Sequence, residues 1–427
     1  MKKIVIIGAG FAGLKLAKKL TKLNLFEIWI IDKNNYHQFQ PLFYQVATSG
    51  LEPSSISFPL RKVFQNKKNI FIRCATVTKI NHEKQFVETT VGNINFDYLV
   101  IANGATTNFF NNNEISSNAF PMKSVSEALF LRNQILQNIE NALIQPKDKQ
   151  TEFLSVAIVG AGPTGVELSG ALAELRKRVL PKDYPELDFS QMTITLIEAS
   201  PKVLSVMSEI SSKKSKEYLE KLNVNVLTST SVTAYDGIEV SLSNGIKLKT
   251  RNLIWAAGVI ANNLNGIDSD KRGRGNRIKV NGYNQVDGFE TIFAIGDVAL
   301  MSTDKYPNGH PQVATVANEQ ADCLAHNFKN IINKTKLIPF EYSDKGSMAT
   351  IGRHLAVVDL PSFKFQGFFA WLFWMFLHLM LILGVKNKIL VFINWLWKYF
   401  TFDQSLRLII KPINNLKTNT NELKSNP

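Results

Sequence analysis

Two glycine fingerprints carry the chemistry most legible in this chain. Ile4-Val5-Ile6-Ile7-Gly8-Ala9-Gly10-Phe11-Ala12-Gly13 returns as Val156-Ala157-Ile158-Val159-Gly160-Ala161-Gly162-Pro163-Thr164-Gly165. Each copy is an apolar run suited to a buried parallel strand, then Gly-x-Gly-x-x-Gly, then apolar residues at helical spacing: Leu14, Ala17 and Leu20 in the first, Val166, Leu168, Leu172 and Leu175 in the second. In such a loop the first glycine permits the turn, the second lets backbone approach a pyrophosphate, and the third lets helix pack on strand. The helix N-terminus then holds phosphate on its free N–H groups. An acid closes the second strand of each copy, where a ribose diol is held: Asp32, 19 residues past Gly13, and Glu198, 33 past Gly165. The longer second spacing lies in a longer helix and a loop at residues 181–185. Glu198 repels a 2′-phosphate and so favours NADH over NADPH, a preference that neighbouring Lys202 weakens.

Two dinucleotides are hard to use separately, whereas a bound flavin taking hydride from a passing nicotinamide uses both. The expected assignment is FAD on the first copy and NADH on the second. A late run, residues 291–297, ends in Asp297 just past a strand, placed to meet the flavin's ribitol or pyrophosphate; the plainer alternative is a helix N-cap. Residues 35–47 contain no cysteine, so a dithiol relay beside the flavin is excluded. The chain's two cysteines, Cys74 and Cys323, are far apart, which also argues against a disulfide scaffold or a thiolate zinc site. His37, His82, His310, His326, His354 and His378 show no ligand spacing, so no metal is expected. His378, alone in an apolar run, is the one histidine considered for a ligand contact, with interfacial snorkelling as the alternative.

The elements that must position these groups follow. At 427 residues two or three domains are expected, and 45% hydrophobic with 20% charged residues argues against disorder. The simplest topology is α/β, two Rossmann-like dinucleotide-binding domains with the second inserted in the first. Residues 1–114 and 275–340 would hold FAD, 115–274 NADH, and 341–427 a membrane-binding tail. Residues 71–80 and 96–102 read as strands leading to Gly104, an Asn-rich turn falls at 111–113, and 252–257 is a strand before Gly258. The opening Met1-Lys2-Lys3 and its apolar run imitate a signal peptide, but cleavage would destroy the first fingerprint, so folding is expected from the first residue.

The net charge of +14 favours an anionic partner such as nucleic acid, anionic lipid or a phosphorylated ligand; without a recognised fold, nucleic acid is not expected. From residue 341 onward ten Lys/Arg face five Asp/Glu, and residues 367–385 carry no formal charge. Nineteen residues are long enough to span a bilayer. A single span, however, would put Lys386, Lys388, Lys398, Arg407, Lys411, Lys417 and Lys424 opposite the nucleotide domains, against the positive-inside tendency. The preferred reading is helices in the interface, with Trp371, Trp374, Trp395, Trp397 and Tyr399 at headgroup level and lysines on anionic lipid.

Taken together, residues 8–13, the stretch Tyr36-His37-Gln38-Phe39-Gln40-Pro41-Leu42-Phe43-Tyr44-Gln45-Val46-Ala47, residues 160–167, Trp255-Ala256-Ala257-Gly258-Val259 and Ala294-Ile295-Gly296-Asp297 resemble type II NADH:quinone oxidoreductases. The resemblance covers nearly the whole chain. It implies a non-pumping, peripheral membrane flavoenzyme on the cytoplasmic face that passes two electrons from NADH through FAD to a membrane quinone. It further implies FAD contacts at Lys33, Val77, Gly104, Ala314 and Thr315 beside Gly8, Gly10, Phe11, Ala12, Gly13, Asp32 and Asp297. NADH contacts are implied at Gly160, Gly162, Pro163, Thr164, Gly165, Glu198, Ala257 and Gly258, and quinone contacts at Gln45, Ala317 and Gln320, to which His378 is added from its place in the apolar run. Glu167 matches the family's glutamate near nicotinamide, flavin and quinone, the candidate for charge or proton handling; a first-turn carboxylate serving the helix dipole is the alternative. Two departures stand out. The family's Ala-Gln-x-Ala-x-Gln-Gln is here Ala314-Thr315-Val316-Ala317-Asn318-Glu319-Gln320, and its Ala-Thr-Gly is Ala102-Asn103-Gly104. Pairing into a homodimer is left open. On the residues alone, a reductase of a soluble electron carrier and a flavin-binding regulatory or assembly protein stay open as well.

Overall fold

A computed structural model describes residues 1–404 and 406–410. The tail lysines Lys411, Lys417 and Lys424 lie outside the described residues.

Two five-stranded parallel sheets organise the chain. The first has the order Ile292–Ala294, Tyr98–Ile101, Lys2–Ile7, Phe26–Asp32, Ile70–Cys74. The second runs Phe120–Pro121, Leu253–Trp255, Val156–Val159, Ile194–Ile197, Asn225–Leu227. Each fingerprint strand is central, with the strand that ends in its acid beside it. A parallel strand covered on both faces needs an unbroken apolar run rather than alternation, and residues 4–7 and 156–159 are all buried. The two faces of the first sheet carry separate cores. One is built with the Phe11–Leu23 and Ala314–Asn333 helices, and the other lies under Ile80, Val87, Ile267 and Ile278.

The chain crosses between the sheets on a two-stranded antiparallel ribbon, Ala105–Thr107 against Val259–Ala261. Asn262 ties its base by donating Nδ2–H to the Asn103 carbonyl at 2.6 Å. The strand expected at 71–80 is two: Ile70–Cys74 closes the first sheet opposite Asp32, whereas Val77–Asn81 opens an antiparallel meander with Phe86–Thr89 and Gly92–Asn95.

Beyond residue 345 an antiparallel sheet, Ser347–Thr350, Ala356–Asp359 and Lys364–Gln366, packs on the second nucleotide helix, Pro163–Arg178. Gly170 permits that approach, because a Cβ there would stand 2.4 Å from the Gly352 nitrogen. Asp359 fastens the sheet, accepting from Ser208 N–H at 2.6 Å and Ser211 Oγ–H at 2.6 Å. Two helices follow, Phe368–Leu381 and Val385–Thr401.

The tail agrees with the preference for helices that do not span and corrects the placement of the aromatic residues. Within the uncharged run the first helix ends after 14 residues, at Leu381, and Gly384 takes φ 77° just before the second. At 1.5 Å per residue the first helix reaches about 21 Å against a hydrocarbon core of about 30 Å. Among the described residues no helix is long and apolar enough to cross a membrane. Nor are the tryptophans all at the outer face. Trp374 and Trp395 are buried in the core shared with the second nucleotide domain, and only Trp397 is well exposed. Helical spacing decides this: Val391, Trp395 and Lys398 share the inward face, while Val385, Ile389, Ile393, Trp397 and Phe400 form an exposed stripe.

Candidate functional site

The two nucleotide loops have the same geometry, built from the same residue types. A Cβ on Gly13 would lie 1.9 Å from the Gly8 carbonyl oxygen, and one on Gly165 1.9 Å from that of Gly160. These glycines serve the fold. The middle glycines do not: a Cβ on Gly10 or Gly162 would meet no protein atom within 4 Å, and both have ordinary negative φ. The open space lies before a helix N-terminus, where a pyrophosphate is held. Both acids are pinned alike. Asp32 accepts from Ala9 N–H and Asn34 N–H at 2.7 Å each, and Glu198 from Ala161 N–H at 2.7 Å and Ser200 N–H at 2.8 Å. Burial pushes the Asp32 carboxyl up, and its two N–H donors pull it back. His37, buried against the first loop, bonds the Ala9 carbonyl at 2.8 Å and meets Phe11 edge-on. The residues present thus fit a dinucleotide at each loop.

Comparing the glycines gives a test. Gly13→Ala should fail to fold, whereas Gly10→Ala should lose bound flavin yet unfold cooperatively at the melting temperature of the flavin-stripped parent. The flavin absorbance of the purified proteins and their thermal unfolding read the two outcomes, and flavin retained by Gly10→Ala would remove the phosphate role of that opening.

At the carboxyl end of the first sheet, Asp297 sits in the 3-10 turn Gly296–Val298 rather than at a helix N-cap, with Lys123 Nζ 3.9 Å away. Gln320 underpins the turn, its Oε1 accepting from Gly296 N–H at 2.7 Å, and Ala317 packs beneath it. These two residues therefore brace the first nucleotide site, and neither lines the two cavities described below. The neighbouring departures are also accounted for. Thr315 Oγ1 bonds Tyr342 Oη at 2.9 Å, and Glu319 pairs with Lys345 at 3.3 Å. Val77 starts the meander and packs on its core. Gly258 faces Phe110, whose ring a Cβ would strike at 2.9 Å.

Two cavities meet at Glu167. The smaller, about 320 Å³, is lined by Gln40, Pro41, Phe43, Tyr44, Met122, Lys123, Thr164 and Glu167, and so opens between the two nucleotide sites. The larger, about 770 Å³, runs from Tyr44, Gln45, Glu167 and Thr350 past Trp371, Trp374 and Trp395 to Arg178, Arg353, Lys398, Tyr399 and Phe402. Its aromatic and apolar walls suit a small apolar molecule, with Gln45, Glu167 and Thr350 as polar groups at one end and the charged Glu174, Arg178, Arg353 and Lys398 at the other. Glu167 and Tyr44 belong to both cavities.

Glu167 is 7% exposed and sits on the buried side of the second nucleotide helix. Thr350 N–H donates to its Oε1 at 3.4 Å. The Trp374 indole N–H lies near the same carboxyl and makes no hydrogen bond among the described residues. Burial dominates these contacts and pushes the carboxyl up to about 8, so it is protonated at neutral pH. At the far end, burial pulls Lys398 down to about 8, and the Arg353 guanidinium stacks 3.9 Å from the Phe402 ring centroid.

Gln45 lines the larger cavity; His378 does not. It stacks behind Trp374 with ring centroids 4.0 Å apart, bonds the Trp374 carbonyl at 2.8 Å, and is held neutral by burial down to about 4. Tyr44, Thr350, Trp374, Trp395 and Arg353 were not singled out for the cavity from sequence. Tyr44 stood inside a motif, but nothing local marks Thr350 or Arg353.

Fold and site define a flavoprotein class with two dinucleotide domains. The family model for pyridine nucleotide-disulphide oxidoreductases matches residues 2–321, and that for the NDH2 C-terminal domain matches residues 345–402. This chain carries no dithiol, for both cysteines are free and neither lines either of the two cavities. The type II NADH:quinone oxidoreductase Ndh of Mycobacterium tuberculosis is 34% identical over 92% of this chain and 87% of its own. The Staphylococcus aureus enzyme of the same name is 31% identical over 83% of this chain and 88% of its own. A structure of Plasmodium falciparum NDH2 in complex with NADH superposes with a TM-score of 0.88 at 24% identity, covering 96% of this chain and 100% of that one. The chain belongs to the type II NADH:quinone oxidoreductase family.

Proposed function

We propose that the smaller cavity is where nicotinamide and flavin meet and the larger is where a quinone head binds, with Glu167 in the wall between them. The chain oxidises NADH and passes the electrons through FAD to a membrane quinone. Bound FAD supplies the two-electron exchange; the chain's own residues bind, orient and manage protons. The loop at Gly8, Gly10, Phe11, Ala12 and Gly13 with Asp32, Lys33, Gly104, Asp297, Ala314 and Thr315 would hold FAD. The loop at 160–165 with Glu198, Ala257 and Gly258 would hold NADH. Glu167, protonated at neutral pH, is placed to give a proton toward a quinone oxygen in the larger cavity and regain it through water. The observation that carries this reading is that Glu167 and Tyr44 line both cavities at once.

The exposed stripes on the two tail helices would lie on the cytoplasmic face of the membrane. Phe369, Leu372, Phe376 and Met380 form one, and Val385, Ile389, Ile393, Trp397 and Phe400 the other. Lys386 and Lys388 would reach anionic headgroups. A quinone diffusing in the bilayer would then enter past the stacked rings of Trp371 and Tyr399, which line the larger cavity.

Filling the cavity tests the assignment. Ala171 lines the larger cavity only, so Ala171→Phe should lower kcat/KM for a short-chain quinone by about tenfold or more, as a blocked site loses a contact's worth of binding. Bleaching of the flavin by NADH should keep its rate. Unchanged quinone turnover in a variant with full flavin content would place the quinone elsewhere.

A further inference from the structure

The larger cavity contains a directed hydrogen-bond chain that begins on the second tail helix. Trp395 Nε1–H donates to Gln45 Oε1 at 2.7 Å, and Gln45 Nε2–H donates to Tyr44 Oη at 2.9 Å. Tyr44 Oη lies 3.2 Å from Thr350 Oγ1, where either hydroxyl can donate, and Thr350 N–H reaches Glu167. All five residues line this cavity, and Tyr44, Gln45, Thr350 and Trp395 are buried.

The chain's direction follows from elementary donor and acceptor identities. An indole N–H can only donate, so Gln45 must present its oxygen to Trp395 and its NH₂ to Tyr44. The Tyr44 oxygen then accepts, which leaves its own proton free to point at Thr350 or into the cavity. Burial raises the Tyr44 hydroxyl far above its usual range, so it remains a donor. Without the indole, the Gln45 amide could turn over, offer its oxygen to Tyr44 and take up that proton.

From this geometry we infer that Tyr44 donates a hydrogen bond to the quinone carbonyl, and that Trp395 and Gln45 are positioning residues that fix the direction of that donation. The inference rests on the quinone occupying this cavity. It also links a membrane-docking helix to the reacting end, since Trp395 lies on the inward face of the helix whose other face carries Trp397 and Phe400. Thr350 completes the arrangement: once the Tyr44 proton is committed to a ligand oxygen, the Thr350 hydroxyl can donate to Tyr44 in turn.

A double-mutant cycle on the flavin-loaded protein tests it, with a short-chain quinone in stopped flow. Tyr44→Phe should lower kcat/KM for the quinone about tenfold, the scale of one hydrogen bond. Trp395→Phe should lower it about threefold to tenfold alone, yet add less than twofold in the Tyr44→Phe background, because its effect runs through that hydroxyl. Full additivity, or a Tyr44→Phe rate within twofold of the parent, would overturn the inference. If Trp395→Phe does not retain flavin, Gln45→Met removes the same orienting amide and carries the same expectation. Persistence of quinone turnover in Ala171→Phe would instead fault the cavity assignment itself, so the two failures are distinguishable.

Discussion

Glu167→Gln is expected to keep FAD, keep the rate at which NADH bleaches it, and lose about two orders of magnitude in quinone-dependent kcat, the usual contribution of a positioned acid. The carboxyl is held at about 8, so the parent should lose quinone activity as pH rises through about 8 and the proton to be donated is lost. In Glu167→Gln that alkaline limb should vanish. Tyr44 and Thr350 face the carboxyl within the cavity, and Lys398, also near 8, lies at its far end. Lys398→Met in the same background separates the second group: a limb that survives Glu167→Gln but not Lys398→Met belongs to the lysine. An unchanged quinone rate in Glu167→Gln would remove the proposed proton role.

The same carboxyl predicts a stability trend with a definite sign. Its folded pKa lies above the ordinary carboxylate value, so between about 4.5 and about 8 the folded state binds the proton that the unfolded state has released. Stability therefore falls as pH rises across that window, and the loss is complete above it. Glu167→Gln should gain melting temperature relative to the parent at pH 8 to 9 and little at pH 5. Thermal unfolding at both pH values checks this independently of turnover.

The second large effect concerns the outer face. Phe369, Phe376, Trp397 and Phe400 are 77%, 62%, 59% and 71% exposed, so replacing all four by serine should leave the fold and the flavin intact. Burying such side chains in lipid contributes at least about 1.5 kcal/mol each, together roughly 6 kcal/mol, which weakens membrane partitioning by a factor on the order of 10⁴. The quadruple variant should stay in the supernatant when sedimented with phosphatidylglycerol-containing vesicles, and should lose turnover with a long-chain quinone in those vesicles. Its rate with a short-chain quinone in water should stay near the parent's. Co-sedimentation equal to the parent's would defeat the docking face. Deleting residues 365–427 is a poorer test, because Trp374, Ile382, Val391 and Trp395 belong to the core of the second nucleotide domain.

The parts of this protein that the sequence by itself determined are those in which local pattern and chemistry coincide. A buried parallel strand requires a continuous apolar run, a pyrophosphate loop requires small residues at fixed spacing, and an acid must close the neighbouring strand. Residues 4–13 with Asp32 and 156–165 with Glu198 satisfy all three within about forty residues, so both nucleotide sites and the electron path were legible. The family resemblance likewise rested on motifs that are each local.

Tertiary structure decided the rest. Tyr44, Glu167, Thr350, Trp374 and Trp395 converge on one cavity from positions spread over more than three hundred residues, and no periodicity announces that. It depends on Gly170 admitting the Ser347–Thr350 strand against a helix and on Gly384 breaking an apolar run in two. Gln320 and Ala317, read from sequence as quinone contacts, also support the Asp297 turn, and His378 stands behind Trp374. Hydrophobicity alone cannot say which tryptophan faces lipid and which faces the core, because both surroundings are apolar. Only packing against a second element buried Trp395 and left Trp397 exposed.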